Sequence, residues 1–179
     1  MATKVSLNIP SKLWTQQDSA RLGLNTLASI KLRTSRGIDA NGKSFKKYST
    51  KPIYIGLKSN TAKRLKPKGG RKTKRSMYFK GGYAEYKKKS RKRTKGPNVR
   101  KAGATRKQSS EVDLVLSGQL MQNFVLKSSS STGFTLGLTK HVSHYGYHVN
   151  KKREYLGLTK QDVDVLVEAV TLDLMEKLS

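Results

Sequence analysis

Residues 58–107 hold 21 basic side chains and a single acid, Glu85, so the middle of this chain carries a net charge of +20. Such a segment cannot build a hydrophobic core by itself. It has few aliphatics, two Gly-Gly pairs, and the breakers Pro67 and Pro97. Its self-repulsion favours an extended chain until something neutralises it. The flanks are different: residues 1–57 carry +8 and residues 108–179 carry −1, out of +27 for the 179-residue chain. The organisation this implies is a fairly ordinary domain interrupted by a very basic insertion.

So much charge is more than solubility requires, and it points to a polyanion or an acidic protein surface. Nucleic acid is the commonest polyanion, because contact with its phosphates releases counterions. Tyr78, Phe79, Tyr83 and Tyr86 lie among the cations and could stack on bases or anchor the arm in a protein groove. No helix-turn-helix or zinc-finger spacing accompanies them, so sequence-specific DNA reading is not expected. The cationic candidates for contact with DNA or an acidic partner are Lys63, Arg64, Lys66, Lys68, Arg71, Lys72, Lys74, Arg75, Lys87, Lys88, Lys89, Arg91, Lys92, Arg93 and Lys95.

Other classes are set aside by what is missing. The chain has no Cys, which excludes disulfides, thiol catalysis and Cys-ligated metals. No run approaches the roughly 18 apolar residues of a membrane span. The opening MATKVSLNIP lacks the apolar core of a secretory signal. The glycines match neither a P-loop nor a dinucleotide fingerprint, and Gly-x-Ser-x-Gly is absent. His141, His144 and His148 cluster, but without an HExxH arrangement; packing beside Tyr145 and Tyr147 is favoured over a metal site. Asp162, Asp164, Glu168, Asp173 and Glu176 read as solvated charges on a helix rather than an acid/base pair. No enzyme, metal or cofactor is expected.

The flanks carry the regular structure. Val5, Leu7 and Ile9 alternate with polar neighbours, the period of a half-buried strand over 4–9. Thr15 followed by Asp18 forms a helix N-cap signal, and the helix runs from about 15 to 36 with Ala20, Leu24, Leu27, Ala28 and Leu32 along one face. Gly37 suits its stop. Asn41-Gly42 marks a turn, with Asp39 as a turn residue and Phe45 and Tyr48 tacking the loop down. From there to about 110 little regular structure is expected beyond a short helix around 83–91. Val112, Leu114 and Leu116 predict a strand, and Ser117 can cap a short helix containing Leu120. NFVLKSS and GFTLGLT predict a β-hairpin. HVSHYGYHVN is a short helix or a loop. Thr159 with Asp162 opens a final helix whose Val163, Leu166, Val167, Val170, Leu174 and Leu178 form an apolar stripe, predicted to pack on the sheet. The expected fold is α+β: one domain over 1–179, a small antiparallel sheet packed by a long N-terminal and a long C-terminal helix, with a basic arm inserted at about 58–107.

The order of these pieces resembles a family. IDANGKSFKKYS at 38–49, GYAEYKKK at 82–89, VDLVLSGQLM at 112–121, YGYHVN at 145–150 and REYLGLT at 153–159 are similar, in sequence and spacing, to the tailed-bacteriophage virion morphogenesis proteins of the neck and tail-completion type. The resemblance covers most of residues 15–179 and rests on the shared order of short motifs. It implies a structural head–tail connector component in the virion, made in the host cytoplasm. The implied assembly is a homo-oligomeric ring of six or twelve subunits around the DNA channel. Its implied partners are adjacent neck, portal-side or tail proteins and the genomic DNA, with no membrane. Phe45, Tyr48, Leu116, Gly118, Leu120, Arg153, Leu156 and Gly157 then become packing or subunit-interface residues. The segment at about 55–80 is longer and more basic than the family pattern. Composition alone favours a competing expectation, a ribosomal-type nucleic-acid-binding module. A basic enzyme acting on nucleic acid is disfavoured by the lack of a carboxylate cluster.

Overall fold

The computed structural model describes residues 2–10, 12–58, 71–72, 75–89, 112, 114 and 119–179. They fall into two units, Met1–Phe45 with Leu120–Ser179, and Lys46–Gln119. The architecture is α+β, with antiparallel sheets and long helices near both ends of the chain.

In the first unit, β1 (Ala2–Ser6), β5 (Phe124–Ser130) and β6 (Gly133–Leu138) form an antiparallel sheet in the order β1-β6-β5. β5 and β6 are the predicted hairpin, with an irregularity between Leu126 and Ser128. β1 begins two residues before its predicted start and ends before Ile9, because its ladder to β6 pairs Ala2 with Gly137 and Ser6 with Gly133. Helix α1 (Gln16–Ser35) lies on this sheet. At its start the Thr15 hydroxyl accepts from the Asp18 N–H and the Asp18 carboxylate accepts from the Thr15 N–H, a full capping box. At its end the Gly37 N–H reaches the Thr34 carbonyl and the Ile38 N–H reaches that of Arg33. This is a Schellman closure, with Gly37 at a φ of 81°.

The buried face of α1 differs from the predicted one. Leu22, Leu27 and Ile30 are buried with Ser19, Gly23, Thr26, Arg33 and Thr34, whereas Leu24 and Leu32 are more than half exposed. Apolar residues occur around most of the helix, so periodicity alone did not fix the face. Gly23 helps decide it, since a Cβ there would lie 2.8 Å from Leu126 and 3.0 Å from the Phe134 ring. The core around it includes fully buried Trp14, Ile30, Phe124 and Leu136, each contributing roughly 1.5–3 kcal/mol of burial.

After β6, residues 140–152 resolve the open alternative as a helix, α4 (Lys140–Lys152). The loop 153–159 leads to α5 (Lys160–Leu178), again opened by a capping box, between Thr159 and Asp162. α5 packs on α1 rather than on the sheet, and only part of the predicted stripe, Leu166, Val170 and Leu174, is half-buried. Val163, Val167 and Leu178 are exposed, and Asp162 is the buried residue of the helix.

The second unit has regular structure where little was expected. β2 (Ile53–Gly56), β3 (Arg71–Lys72) and β4 (Ser76–Phe79) form an antiparallel sheet in the order β2-β4-β3. Helix α2 (Gly82–Lys89) follows, at the place predicted for a short helix. Met77, Phe79 and Tyr86 form a small core, with Ile53, Ile55, Leu57 and Tyr83 packed against it. The basic segment thus does contribute a core once the PIYIGL stretch before it supplies aliphatics. Gly82 makes the corner into α2 at a φ of 68°, where a Cβ would meet the Lys51 carbonyl oxygen at 2.4 Å. Leu114 sits at a φ of 51°, outside the strand region, and the rest of the strand predicted through Val112, Leu114 and Leu116 lies largely outside the described residues. The short helix α3 (Gln119–Gln122) precedes β5.

Candidate functional site

The cationic candidates begin with the strands of the second unit. In an antiparallel ladder, opposed residues point to the same side of the sheet. Tyr54 opposes Tyr78, and Arg71 opposes Tyr78 on the other flank, so these three share one face. The opposite face carries Ile53, Ile55, Met77 and Phe79 into the core. On the outer face the Tyr54 and Tyr78 rings lie 4.9 Å apart, tilted by 44°. Tyr54 is 69% exposed and Arg71 on the same face is exposed too, as are Lys58, Arg75 and Lys80 beside the strand ends. At Gly56 this face is open, with nothing within 4 Å of a notional Cβ. The result is an open aromatic–cationic shelf.

The predicted lysines of α2 separate into different roles. Lys88 is exposed. Lys89 pairs with Glu85, and this contact leads the causes that hold the Glu85 carboxyl below the usual range; the Gly81 N–H also donates to it. Lys87 is fully buried, with its ammonium 4.9 Å from the centre of the Tyr48 ring. Tyr48 in turn lies 5.1 Å from Tyr83. Lys87 therefore belongs to the packing of this unit and not to its exposed charge. The backbone of Lys72 lies in β3. Lys63, Arg64, Lys66, Lys68, Lys74, Arg91, Lys92, Arg93 and Lys95 lie outside the described residues.

Five of the packing candidates, Phe45, Leu120, Arg153, Leu156 and Gly157, belong to the first unit, and Tyr48 belongs to the second. Phe45 and Leu120 are buried. Leu156 and Arg153 are half-buried, and Gly157 takes a φ of 148°. Leu116 and Gly118 lie outside the described residues. The REYLGLT stretch is organised by Arg33, in the last turn of α1. One guanidinium nitrogen of Arg33 pairs with Asp162, and the other donates to the carbonyls of Tyr155 (3.1 Å) and Gly157 (2.9 Å). Asp162 also accepts from the Ser29 hydroxyl (2.8 Å) and from the Thr159 N–H (2.9 Å). Burial alone would raise the Asp162 carboxyl, but the Thr159 N–H, the Ser29 and Thr159 hydroxyls and the Arg33 charge together hold it below the usual range. One capping acid thus fixes the start of α5 and ties it to α1. Asp162 was legible as a cap, but nothing in the local sequence of Arg33 marks it as its partner.

The remaining polar groups form no reactive constellation among the described residues. Nε2 of His144 and Nε2 of His148 lie 3.3 Å apart on the exposed side of α4. No group of three or more His, Asp or Glu gathers there to hold a metal, among the described residues. An open hollow of about 520 Å³ over β1, β5 and β6 is lined by Lys4–Leu7, Ser128–Ser130 and Thr132–Thr135, which offer hydroxyls but no nucleophile–base pair. No helix among the described residues is long and apolar enough to cross a membrane. The chain matches no protein-family model, no curated protein and no solved structure.

Proposed function

We propose that this protein is a non-enzymatic structural subunit of a tailed-bacteriophage virion. In this reading it forms a homo-oligomeric ring in the neck or at the top of the tail, joining or completing head and tail around the DNA channel. The observation that carries the reading is the division of the chain into a first unit with a substantial core and a second whose exposed face is aromatic and cationic. The first suits a ring body. The second suits contact with channel DNA or with an acidic neighbouring subunit. The resemblance of the motif order to neck and tail-completion proteins points the same way. The exposed Tyr54–Tyr78 pair beside Arg71 also supports a second reading, a ribosomal-type nucleic-acid-binding module.

The two readings separate in solution. The mass of the purified, nuclease-treated chain is measured by light scattering across a salt series. A discrete ring-sized oligomer supports the ring subunit. A monomer that binds RNA tightly, with affinity falling steeply with salt, supports the nucleic-acid module.

A further inference from the structure

α5 is tied to α1 by three ion pairs, and much of its hydrocarbon surface is exposed. Asp162 pairs with Arg33, Asp173 accepts from Arg21 at 2.6 Å, and Lys177 pairs with Asp18. Outside that line, Val163, Val165, Val167, Leu172, Met175 and Leu178 are all exposed, Val167 and Leu172 at 60% each. Asp164, Glu168 and Glu176 are exposed among them. A 19-residue helix is roughly 28 Å long, so this is an extended apolar and acidic surface. Large exposed apolar patches mark interaction sites. Of the apolar stripe that the sequence builds at helical spacing, Leu166, Val170 and Leu174 are half-buried, while Val163, Val167 and Leu178 stay exposed with Val165, Leu172 and Met175 beside them.

The chemistry of the occupant follows from the surface. It must be flat and partly apolar to cover valines and leucines, and cationic to satisfy three carboxylates. The chain itself carries such a surface: the outer face of the β2–β4–β3 sheet, with Tyr54, Tyr78 and Arg71 on a shelf left open at Gly56 and followed by the exposed Lys80. We infer that α5 of one copy docks on this aromatic–cationic face of a second copy. The two surfaces differ, so the contact is heterologous: each copy donates a helix to one neighbour and a sheet face to another. Head-to-tail contacts of this kind close into rings when the rotation permits. The inference rests on the ring reading and names the surfaces that would close it. Steering between an acidic helix and a basic face also makes assembly weaken as salt rises.

The test uses two full-length variants altered only at exposed positions. One carries Val167→Glu and Leu172→Glu on α5, and the other carries Tyr54→Glu and Arg71→Glu on the sheet. Circular dichroism checks that both retain the wild-type fold, and light scattering gives their masses at low and high salt. The expected result is an oligomeric wild-type protein and two monomeric variants. Their equimolar mixture should then double in mass to a dimer and go no further, because only one intact helix–sheet pairing remains. Variants that keep the wild-type oligomer overturn the inference and leave the ring reading standing. A monomeric α5 variant beside an oligomeric sheet variant overturns it in favour of helix-to-helix pairing. A wild-type chain that is monomeric at every salt and concentration overturns both the inference and self-assembly into a ring.

Discussion

In the first unit, Trp14, Ile30, Phe124, Leu136 and Tyr155 are fully buried, and 14 basic residues stand against eight acidic ones. In the second, Met77, Phe79 and Tyr86 form the core, and 24 basic residues stand against three acidic ones. The first can place its charges in specific pairs, as Arg33 with Asp162 and Lys177 with Asp18. The second has too few acids for that. It uses aromatic rings for part of the work, setting the buried Lys87 ammonium over Tyr48, and leaves most of its described cations in water. A shortage of counter-charges inside a unit is a reason for that unit to meet them on a partner.

Perturbations should separate the units in a graded way. The largest effect is expected from Arg33→Ala. It strands the buried Asp162 and frees two loop carbonyls, a loss of about 3–5 kcal/mol typical of a broken buried pair. Chemical denaturation followed by Trp14 fluorescence reads it, and a loss below about 1 kcal/mol would show that the pair is dispensable. Next, Gly82→Ala places a side chain in a left-handed corner against the Lys51 carbonyl. It should cost about 1–3 kcal/mol and act on β2, β4 and α2, read as lost amide protection at Ile55 and Phe79, whose N–H groups face the partner strand. Unchanged protection would mean that the corner can re-form.

A smaller effect is expected from salt. Raising ionic strength screens like-charge repulsion, so amides in β2 and β4 should gain protection by about threefold while those in β6 move little. Equal responses in both sheets would break the comparison. The smallest effect concerns acid. The Lys177 ammonium, followed by the Thr15 N–H, holds the Asp18 carboxyl down to about 2 against burial. A carboxyl lowered by folding contributes stability that is fully present above its unfolded value of about 3.9 and is lost as pH falls through its folded value. Asp18→Asn should therefore flatten the stability profile between about pH 4 and pH 2, and the same stability is then missing at pH 7, held to a few tenths of a kcal/mol by solvent screening of the partly exposed Lys177. Acid titration of unfolding, variant against wild type, checks the slope.

Much of the first unit was legible because its signals are local. Thr15 with Asp18, and Thr159 with Asp162, both close capping boxes, and Gly37 ends α1. The alternating Phe134, Leu136 and Leu138 define β6. The second unit was less legible. Its strands are four residues or shorter, and their apolar residues are diluted by cations, so charge masked the period. Ile53 and Ile55 around Tyr54 were the available signal for β2, and with it for the exposed tyrosine. Of the cationic candidates, Arg71, Arg75 and Lys88 are exposed; that Lys87 is buried depends on Tyr48, 39 residues earlier, and no local pattern carries it.

By itself, the sequence determined the α+β class, the caps and extents of the long helices, the hairpin, and the concentration of positive charge in the middle of the chain. Each of these depends on residues within a few positions of one another. Tertiary structure decided which side of each helix is covered. Gly23 lets the sheet approach one side of α1, while the pairs Arg33–Asp162, Arg21–Asp173 and Asp18–Lys177 hold α5 and leave Val163, Val165, Val167, Leu172 and Leu178 outward. Periodicity shows that a helix has an apolar face, but the partner that covers it is fixed by long-range contacts that no local spacing encodes.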